Sequence, residues 1–543
     1  MTRGGGRPMD RRLRARGWLR TQTPLHVGGV ALDPAEALPV AVDGQDRVYV
    51  PGTSLAGALR AWMRGADPGT DRLDRMWGFE GNGRSNSVGQ ASRVVVRDAV
   101  VTTATGTDGD GIPDEPLRSR TLPVLHGVGI DRVTGAAASA FLYARTVVPP
   151  GHYLSFEIDV ETTGAHLDRD RARLHALLTA LKSEEIALGA ANGRGLGVVT
   201  LLPSPLDVHE HDLTSRAGLL AFLRGEPARF AEAAVDAGAA DLPARRDRLT
   251  VQLRWRPDAP VMVRAAGEGA TIKTLPLATE VGPGTLRLTL SGGSLKGALR
   301  SHAELIERTA RGLDAPPPPI QDAVDGAGDP EPAPPRARGH AEAFRKQLDG
   351  LDAVRMLFGA ARRAAGGTPS AHPWGAGALT VHECVSETAI PSDVWDVVVN
   401  GAPDDGADRP VPPPSVRDAL AARGLDQADH VAIDRWTGGA ADQLLFSVLE
   451  PHGVDWEPIR LTVDLTRLGG HRDVALALLL LVLRDLEQRR IPLGGMVNRG
   501  FGDVTIESVE FSGNGWTAET TLADALRHGN LAAAWRAYAE GPR

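Results

Sequence analysis

The sequence has almost no cysteine and few aromatic residues. One of its 543 residues is a cysteine, Cys384, and 4% are aromatic. A single cysteine excludes both an intrachain disulfide framework and a zinc site built from several cysteines of one chain, and it is typical of proteins of the reducing cytosol. Because rings are few, stacking on nucleic-acid bases would have to rest on a small number of aromatics or on Arg planes.

Long apolar runs are also missing. The longest, Val474 to Leu483, has ten residues, which is too short to cross a bilayer and predicts a buried helix. The basic N-terminus has no apolar core and is not a secretory signal. We therefore expect a cytoplasmic protein with no membrane partner.

The charge balance excludes a surface that is cationic throughout. The formal net charge is −8, which leaves room only for a local basic groove. Hydrophobic residues make up 42% of the chain, enough to bury real cores. A length of 543 residues predicts two to four domains.

One motif occurs twice. Residues 188–199 read LGAANGRGLGVV and residues 493–504 read LGGMVNRGFGDV. Further pairs follow the same order: PGTSLAGALR with SGGSLKGALR, and GIDRVTG with AIDRWTG. A repeat of this length indicates a duplicated domain and not a solenoid unit.

The first copy alternates between strand and helix patterns in the order strand, helix, strands, helix, strand, and the pattern restarts from Leu249. This is the βαββαβ order of a ferredoxin-like fold, so we expect an α+β protein with two tandem ferredoxin-like domains carrying loop and hairpin insertions. In the first copy Thr53 or Ser54 is the predicted N-cap of the first helix. The predicted elements of this copy are strand 18–27, the helix after 54, strands 92–101, 141–147 and 153–160, helix 171–182 and strand 198–202.

The predicted domains follow from these patterns. An insertion in the second copy has eight prolines between Pro316 and Pro335 and no hydrophobic period, so we expect it to be disordered. The predicted boundaries are a basic arm at 1–16, a first domain at 17–205, a helical appendage and linker at 206–248, a second domain at 249–512 with the Pro-rich insertion at 312–346, and a helical segment at 513–543.

Together these motifs resemble a RAMP protein of a type III CRISPR effector complex. TPLHVGG, VYVPGTSLAGALR, SRVVVRDA, GIDRVTGAA and RGLG make up one such domain, and APVMV, LSGGSLKGALR, LFG, ALTVHECV, AIDRWTGGA and NRGFG make up a second. The set occurs twice in the same order, which is far more specific than any one glycine-rich loop.

The resemblance implies a function. Such subunits form the backbone of the complex, hold the CRISPR guide RNA by its phosphates, and receive the target RNA that pairs with the guide. A thumb hairpin kinks the guide, and catalytic relatives cut the target RNA with an Asp and a divalent metal. Two domains in one chain imply a fused pair of backbone subunits that works beside other subunits of the complex.

Candidate RNA-binding residues lie in the paired motifs. A helix start rich in Gly and Ser presents free N–H groups to phosphate, and nearby Arg and Lys neutralise it. The arginines also fit a solvated surface, and Asp131-Arg132 and Asp434-Arg435 equally fit an internal ion pair. His26 fits either a satisfied strand-end histidine or a catalytic one. The candidates are His26, Ser54, Arg60, Arg132, Arg194, Lys273, Ser294, Lys296, Arg300, Arg435 and Arg499.

The catalytic carboxylate of the relatives is missing at its expected place. The alignment puts Ala37 there in the first copy and Thr274 in the second. Asp33 and Glu36 lie in the same loop and are the candidate catalytic residues of a metal-dependent endoribonuclease using Mg²⁺ or Mn²⁺.

Three functions stay open. The first is a backbone subunit that binds guide RNA without cutting and needs no cofactor. The second is the same subunit with an endoribonuclease in its first domain. The third is a stand-alone nuclease that processes the precursor guide, for which only His26 is placed.

Overall fold

A computed structural model describes the chain at residues 9–30, 36–67, 75–80, 89–103, 115–225, 236–282, 284–314, 345, 347–348, 350–360, 375–401 and 411–541. It is a mixed α+β protein with several antiparallel sheets, as the strand and helix patterns predicted. The predicted Pro-rich insertion lies almost entirely outside the described residues. No described helix is long and apolar enough to cross a membrane.

The chain divides into two compact units. The first contains residues 1–124, 145–192 and 196–246, and the second contains 125–144, 193–195 and 247–543. The second unit thus includes most of a hairpin and a short loop from the first half of the chain.

The strands come in the following order: β1 (Arg11–Thr21), β2 (Tyr49–Val50), β3 (Val94–Val96), β4 (Ala99–Thr102), β5 (Val124–Ile130), β6 (Ala137–Thr146), β7 (Tyr153–Thr162), β8 (Val199–Leu201), β9 (Asp207–Asp212), β10 (Arg248–Pro257), β11 (Ala278–Gly282), β12 (Thr285–Leu290), β13 (Gly359–Ala360), β14 (Gly375–Ala376), β15 (Leu379–Val381), β16 (Cys384–Pro391), β17 (Leu425–Ile433), β18 (Ala440–Pro451), β19 (Ile459–Asp464) and β20 (Val504–Ser512).

The helices are α1 (Gly52–Arg64), α2 (Leu167–Lys182), α3 (Arg216–Arg224), α4 (Gly292–Arg311), α5 (Asp352–Phe358), α6 (Ser392–Asn400), α7 (Pro414–Ala421), α8 (Leu465–Leu468), α9 (Arg472–Glu487), α10 (Leu522–Arg527) and α11 (Leu531–Glu540).

The central sheets of the two units have the same strand order. In the first unit β3 pairs with β7, β7 with β1, and β1 with β8. In the second unit the order is β15, β19, β10 and β20. All of these pairs are antiparallel, and each sheet places its first strand between its third and fourth.

In strand β1, residues that face the core alternate strictly with residues that face outward. Leu13, Ala15 and Leu19 are fully buried, whereas Arg12 and Arg14 point to the other face, where both bind the carboxylate of Asp159. Successive side chains of a strand face opposite sides, so a basic strand can still present a continuous apolar face. The first core residues of the chain therefore lie within an arginine-rich segment.

This strand corrects two predictions. The basic arm at 1–16 is wrong for residues 11–16, which form the start of β1, and the strand predicted at 18–27 ends at Thr21. The residues in the predicted linker also contribute to the sheet, because β9 pairs with β1 between Asp207 and Asp212.

Other boundaries shift in smaller ways. The predicted strand 92–101 is broken into β3 and β4, which both pair with β7. Helices α1 and α2 match their predicted segments. The long C-terminal segment of the second unit begins at Asp247, close to the predicted domain start at 249.

The C-terminal helix α11 completes a buried polar cluster in the second unit. The Tyr538 hydroxyl donates a hydrogen bond to Glu307 on α4, and the N–H of Val354 donates to the same carboxylate at 2.9 Å. Glu307 is 0% exposed. Burial raises the pKa of Glu307, and these donors oppose the rise.

We expect Tyr538→Phe to lower the free energy of unfolding by about 1–3 kcal/mol, because a buried carboxylate loses one of its donors. Urea unfolding at neutral pH measures this. Tyr153→Phe is the control, since no partner for the Tyr153 hydroxyl is found among the described residues. Equal stability of Tyr538→Phe and wild type would show that the hydrogen bond contributes nothing.

Candidate nucleic-acid interface

The first helix of each unit starts against a strand, with a glycine at the contact. A Cβ at Gly52 would lie 2.3 Å from the carbonyl oxygen of Val96, and one at Gly292 would lie 2.3 Å from that of Val381. Only glycine permits this approach. The repeated motif therefore encodes the same close contact in both units.

The start of α1 is capped differently from the prediction. Neither Thr53 nor Ser54 caps α1; instead the carboxylate of Asp98 accepts the N–H of Gly52 at 2.7 Å. In α4 the Ser291 hydroxyl accepts the N–H of Ser294 at 3.3 Å. Ser54 and Ser294 are half-buried in the first turns, where some N–H groups are already bound.

Arg60 and Arg300 have internal partners. Arg60 Nη2 donates to the carbonyl of Gly78 at 2.9 Å, and Arg300 Nη1 donates to the equivalent carbonyl of Gly359 at 3.2 Å. Arg300 Nε also binds Glu304 at 2.8 Å. Both arginines therefore bind the backbone of a neighbouring loop, and their contacts give no support to a role in RNA binding.

Lys296 is likewise an internal anchor. Its Nζ donates to the carbonyl oxygens of Gly193 at 2.9 Å and Leu379 at 2.5 Å. Burial, with Arg194 and Arg300 nearby, lowers the pKa of Lys296 to about 8. Lys296 thus fixes the loop 193–195 onto α4 and β15 in the second unit.

The arginine of each glycine-rich loop lies over an aromatic ring. The guanidinium of Arg194 is 5.5 Å from the ring centre of Tyr143, and that of Arg499 is 4.9 Å from the ring centre of Phe446. Both arginines are exposed. Arg194 Nη1 also donates to the Tyr143 hydroxyl. A guanidinium has five N–H groups, so others remain on each arginine, and an RNA contact by these two residues stays a prediction.

Tyr143 and Phe446 were not among the predicted site residues. Each lies on the second strand of a hairpin, β6 or β18, at the same distance along the chain from Asp131 and Asp434 respectively. That matching position, with an aromatic in a chain that has few, is a signal that could have identified them.

The two hairpin tips have the same turn but different surroundings. Asp131 accepts the N–H groups of Val133 and Thr134, each at 2.9 Å, and Asp434 accepts those of Trp436 and Thr437. These bonds hold the pKa of Asp434 below its usual value. The alternative of an ion pair within each Asp-Arg dipeptide is wrong for the first copy, because Arg132 pairs with Glu304 at 2.7 Å.

Arg435, the counterpart of Arg132, is exposed, and no partner for it is found among the described residues. The two arginines predicted as equivalent RNA contacts thus have different environments.

His26 is a buried, hydrogen-bonded histidine in the loop that follows β1. It is 3% exposed, and its Nδ1 lies 2.7 Å from the carbonyl oxygen of Thr146, to which it donates. Burial lowers the pKa of His26, with a smaller contribution from Arg145. The equivalent Met262 packs against Val448 and Phe501. Neither arrangement presents a side chain to a ligand.

The backbone hydrogen bonds of the loop expected to hold the catalytic carboxylate change the alignment of the two copies by one residue. The N–H of Thr146 bonds to the carbonyl of Leu38, and the N–H of Leu449 bonds to that of Thr274. Leu38, and not Ala37, is therefore the structural counterpart of Thr274, and Lys273 corresponds to Ala37. No carboxylate occupies the position in either alignment.

The two catalytic candidates are placed unequally. Glu36 is exposed, and Asp33 lies outside the described residues. Lys273 is exposed next to Thr274, and its backbone N–H donates to Ser447 Oγ at 3.1 Å. Within the described residues, no group of three or more His, Cys, Asp or Glu side chains is arranged to hold a metal ion.

A half-buried carboxylate, Glu383, lies beside the loop 193–195 that Lys296 anchors. Burial raises the pKa of Glu383 to about 7, partly offset by a hydrogen bond with the Thr279 side chain. Gly195, with a φ of +84°, packs against the backbone of Glu383, where a Cβ would lie 2.8 Å from the nitrogen.

We expect Glu383→Gln to raise the free energy of unfolding by about 1–3 kcal/mol at pH 8 and to change it little at pH 5. A folded-state pKa above the unfolded one means that the folded protein binds more protons, so wild type loses stability as pH rises toward 7. Urea unfolding at both pH values tests this. The same difference at pH 5 and pH 8 would contradict it.

The chain is an α+β protein in which the sheet order, the glycine contacts at the first helix and the exposed Arg–aromatic pair each occur twice. Residues 18–200 match the family model of the RAMP superfamily. This segment lies within the first half of the chain and supports the predicted RAMP resemblance there. No curated protein matches the chain.

Proposed function

We propose that this chain is a guide-RNA-binding backbone subunit of a type III CRISPR effector complex, with two tandem ferredoxin-like RAMP domains. The match of residues 18–200 to the RAMP superfamily carries the proposal. The second half of the chain repeats the sheet order, the glycine contacts and the Arg–aromatic pair of the first half. The partners we propose are the guide RNA, the target RNA paired with it and the other subunits of the complex.

The exposed side of each glycine-rich loop supports phosphate binding. Arg194 and Arg499 lie over rings at corresponding positions, and Lys273 is exposed in the loop after the first strand of the second unit. Guide sequences vary, so recognition by charge and backbone shape suits them better than base readout.

The first hairpin supports a fused pair of subunits. Residues 125–144, from the first half of the chain, belong to the second compact unit. There Arg132 binds Glu304, and Gln347 Nε2 donates to Asp131 at 2.9 Å. A hairpin from the first half of the chain that packs with the second half favours two successive backbone subunits in one chain.

We expect Arg194→Ala combined with Arg499→Ala to weaken guide-RNA binding by the assembled complex by about 10-fold or more, because two cationic contacts are lost. The slope of log affinity against log salt should fall by about 2. Filter binding at several salt concentrations measures both. The control is Arg527→Ala, an exposed arginine on α10. Unchanged affinity and slope would remove these loops from the RNA site.

Binding without cutting is the activity we propose. The endoribonuclease alternative needs a carboxylate at the catalytic position of the loop after the first strand of a domain, and by hydrogen-bond register Leu38 and Thr274 have that position in the two domains. We expect Asp33→Ala and Glu36→Ala to leave the cleavage pattern of a matched target RNA unchanged in the complex with Mg²⁺ or Mn²⁺. Loss of any cleavage product in either variant would establish a nuclease in the first domain.

A further inference from the structure

Helix α3 turns its apolar residues away from the first unit. With about 3.6 residues per turn, Leu219, Leu220 and Leu223 lie on one face of this nine-residue helix. They are 43%, 38% and 69% exposed, and no residue of the helix is buried. A short helix takes most of its stability from the packing of its apolar face. Three leucines exposed on one face therefore indicate an interaction surface.

The opposite face of α3 holds the helix in this orientation. A Cβ at Gly218 would lie 2.0 Å from the carbonyl oxygen of Asp212, so glycine lets the helix approach β9 closely. The ring of Phe222 meets the ring of His211 edge to face, with 5.1 Å between their centres. The guanidinium of Arg12 lies 5.4 Å from the centre of the Phe222 ring. These contacts fix the leucine face outward.

The second half of the chain shows what kind of surface such a helix packs against. Helices α10 and α11 follow the last strand of the second sheet, β20, as α3 follows β9, and they pack against helix α9. Their apolar residues Leu522, Ala525 and Leu531 are buried there. In the part of the first unit that the structure describes, α2 is the counterpart of α9, and Arg173 on α2 instead donates through Nε to the carbonyl of Ala240 at 2.9 Å. The leucines of α3 thus fit a helix that comes from elsewhere.

The charges of α3 select the partner. Arg216 and Arg224 lie at the two ends of the leucine face, and the helix contains no acidic residue. Pairing with α3 of a second copy would set arginine against arginine in either orientation, which disfavours self-association. RNA is disfavoured as well, because leucine has no π face on which a base can stack. Carboxylates at the ends of an apolar stripe would instead pair with both arginines.

We propose that α3 is the docking site for an acidic amphipathic helix of a different protein. Apolar residues of that helix, spaced three and four apart, pack on Leu219, Leu220 and Leu223. Its Asp or Glu side chains on either side of the apolar stripe pair with Arg216 and Arg224. This assigns a contact surface to the backbone subunit proposed above and rests on that role.

The test uses the full chain co-expressed with the other subunits of the complex, with a photo-reactive phenylalanine analogue in place of Leu223. Illumination and mass spectrometry identify the cross-linked peptide. We expect an amphipathic helical segment of another protein with Asp or Glu beside its apolar residues. The control carries the analogue in place of Leu305, a leucine of α4 that is 58% exposed, and there we expect no such cross-link. Equal yields at 223 and 305 would overturn the inference.

Charge reversal tests the choice of partner. We expect Arg216→Glu to reduce the cross-link yield at 223 by about 10-fold or more, because like charges then face each other. Replacing the facing carboxylate by Arg should restore the yield. A yield that Arg216→Glu leaves unchanged would contradict the inference, and so would a cross-link to RNA, to another part of this chain, to a second copy or to nothing.

Guide RNA bound in the same preparation separates this inference from the proposed function. RNA retained while the cross-link is absent overturns only the docking site on α3. Absence of guide RNA from the wild-type preparation would count against the backbone role itself.

Discussion

Replacing Glu304 by Ala is expected to lower the free energy of unfolding of the second unit by about 3–5 kcal/mol. Glu304 is 3% exposed and accepts hydrogen bonds from Arg132 and from Arg300, at 2.7 and 2.8 Å. Truncation leaves two largely buried guanidinium groups without their shared acceptor, and an uncompensated buried charge is strongly destabilising. Denaturant unfolding followed by circular dichroism measures the loss.

The same variant should release the first hairpin before the unit unfolds. Arg132 lies at the hairpin tip, and its guanidinium is held by Glu304. We expect limited digestion with trypsin to cut after Arg132 faster in Glu304→Ala than in wild type. Ser301→Ala, an exposed position on the same helix, is the control. A loss of stability below about 1 kcal/mol together with unchanged digestion would show that the ion pair does not hold the hairpin.

Gly494→Ala is expected to destabilise the second unit by about 3 kcal/mol or more. Gly494 has a φ of +85°, and a Cβ there would lie 2.4 Å from the carbonyl oxygen of Met262. The substitution combines a left-handed backbone with a steric overlap against a main-chain atom, which cannot move out of the way without disturbing the sheet. Thermal and urea unfolding give the change.

The neighbouring Gly495 is a matched control. Its Cβ would meet the same carbonyl oxygen only at 3.8 Å, and it is not in the left-handed region. We expect Gly495→Ala to change stability by less than about 1 kcal/mol. In the first unit Gly189, with a φ of +73° and 2.3 Å from the His26 carbonyl oxygen, should behave as Gly494 does. Equal effects at 494 and 495 would contradict the close contact.

The sequence was sufficient to predict the elements that depend on local pattern. Alternation and helical periodicity identified α1, α2 and β7, and the mixed α+β class is confirmed. Strand β1 was misplaced because its outward face is almost all arginine, which hid the alternation of Leu13, Ala15 and Leu19. The side chains of that outer face pair with Asp159, a residue far away in sequence.

The candidate site was harder to predict because the partners of its residues come from segments that are distant in sequence. Arg60, Arg300 and Lys296 read as phosphate ligands in the sequence, yet all three donate to carbonyl oxygens, which carry no sequence signal, and Arg300 also binds Glu304. The pairing of Arg132 with Glu304 was equally hidden, because the sequence only showed that Arg132 follows Asp131. Arg194 and Arg499 are exposed in their loops, and their contact with RNA stays a prediction.

The central claim is that both domains hold guide RNA. The most direct measurement is nuclease protection of the guide in the assembled complex, comparing wild type with Arg194→Ala and Arg499→Ala separately. Two protected stretches are predicted, with each variant weakening a different one. No protection of the guide by this chain, even beside its partner subunits, would contradict the account.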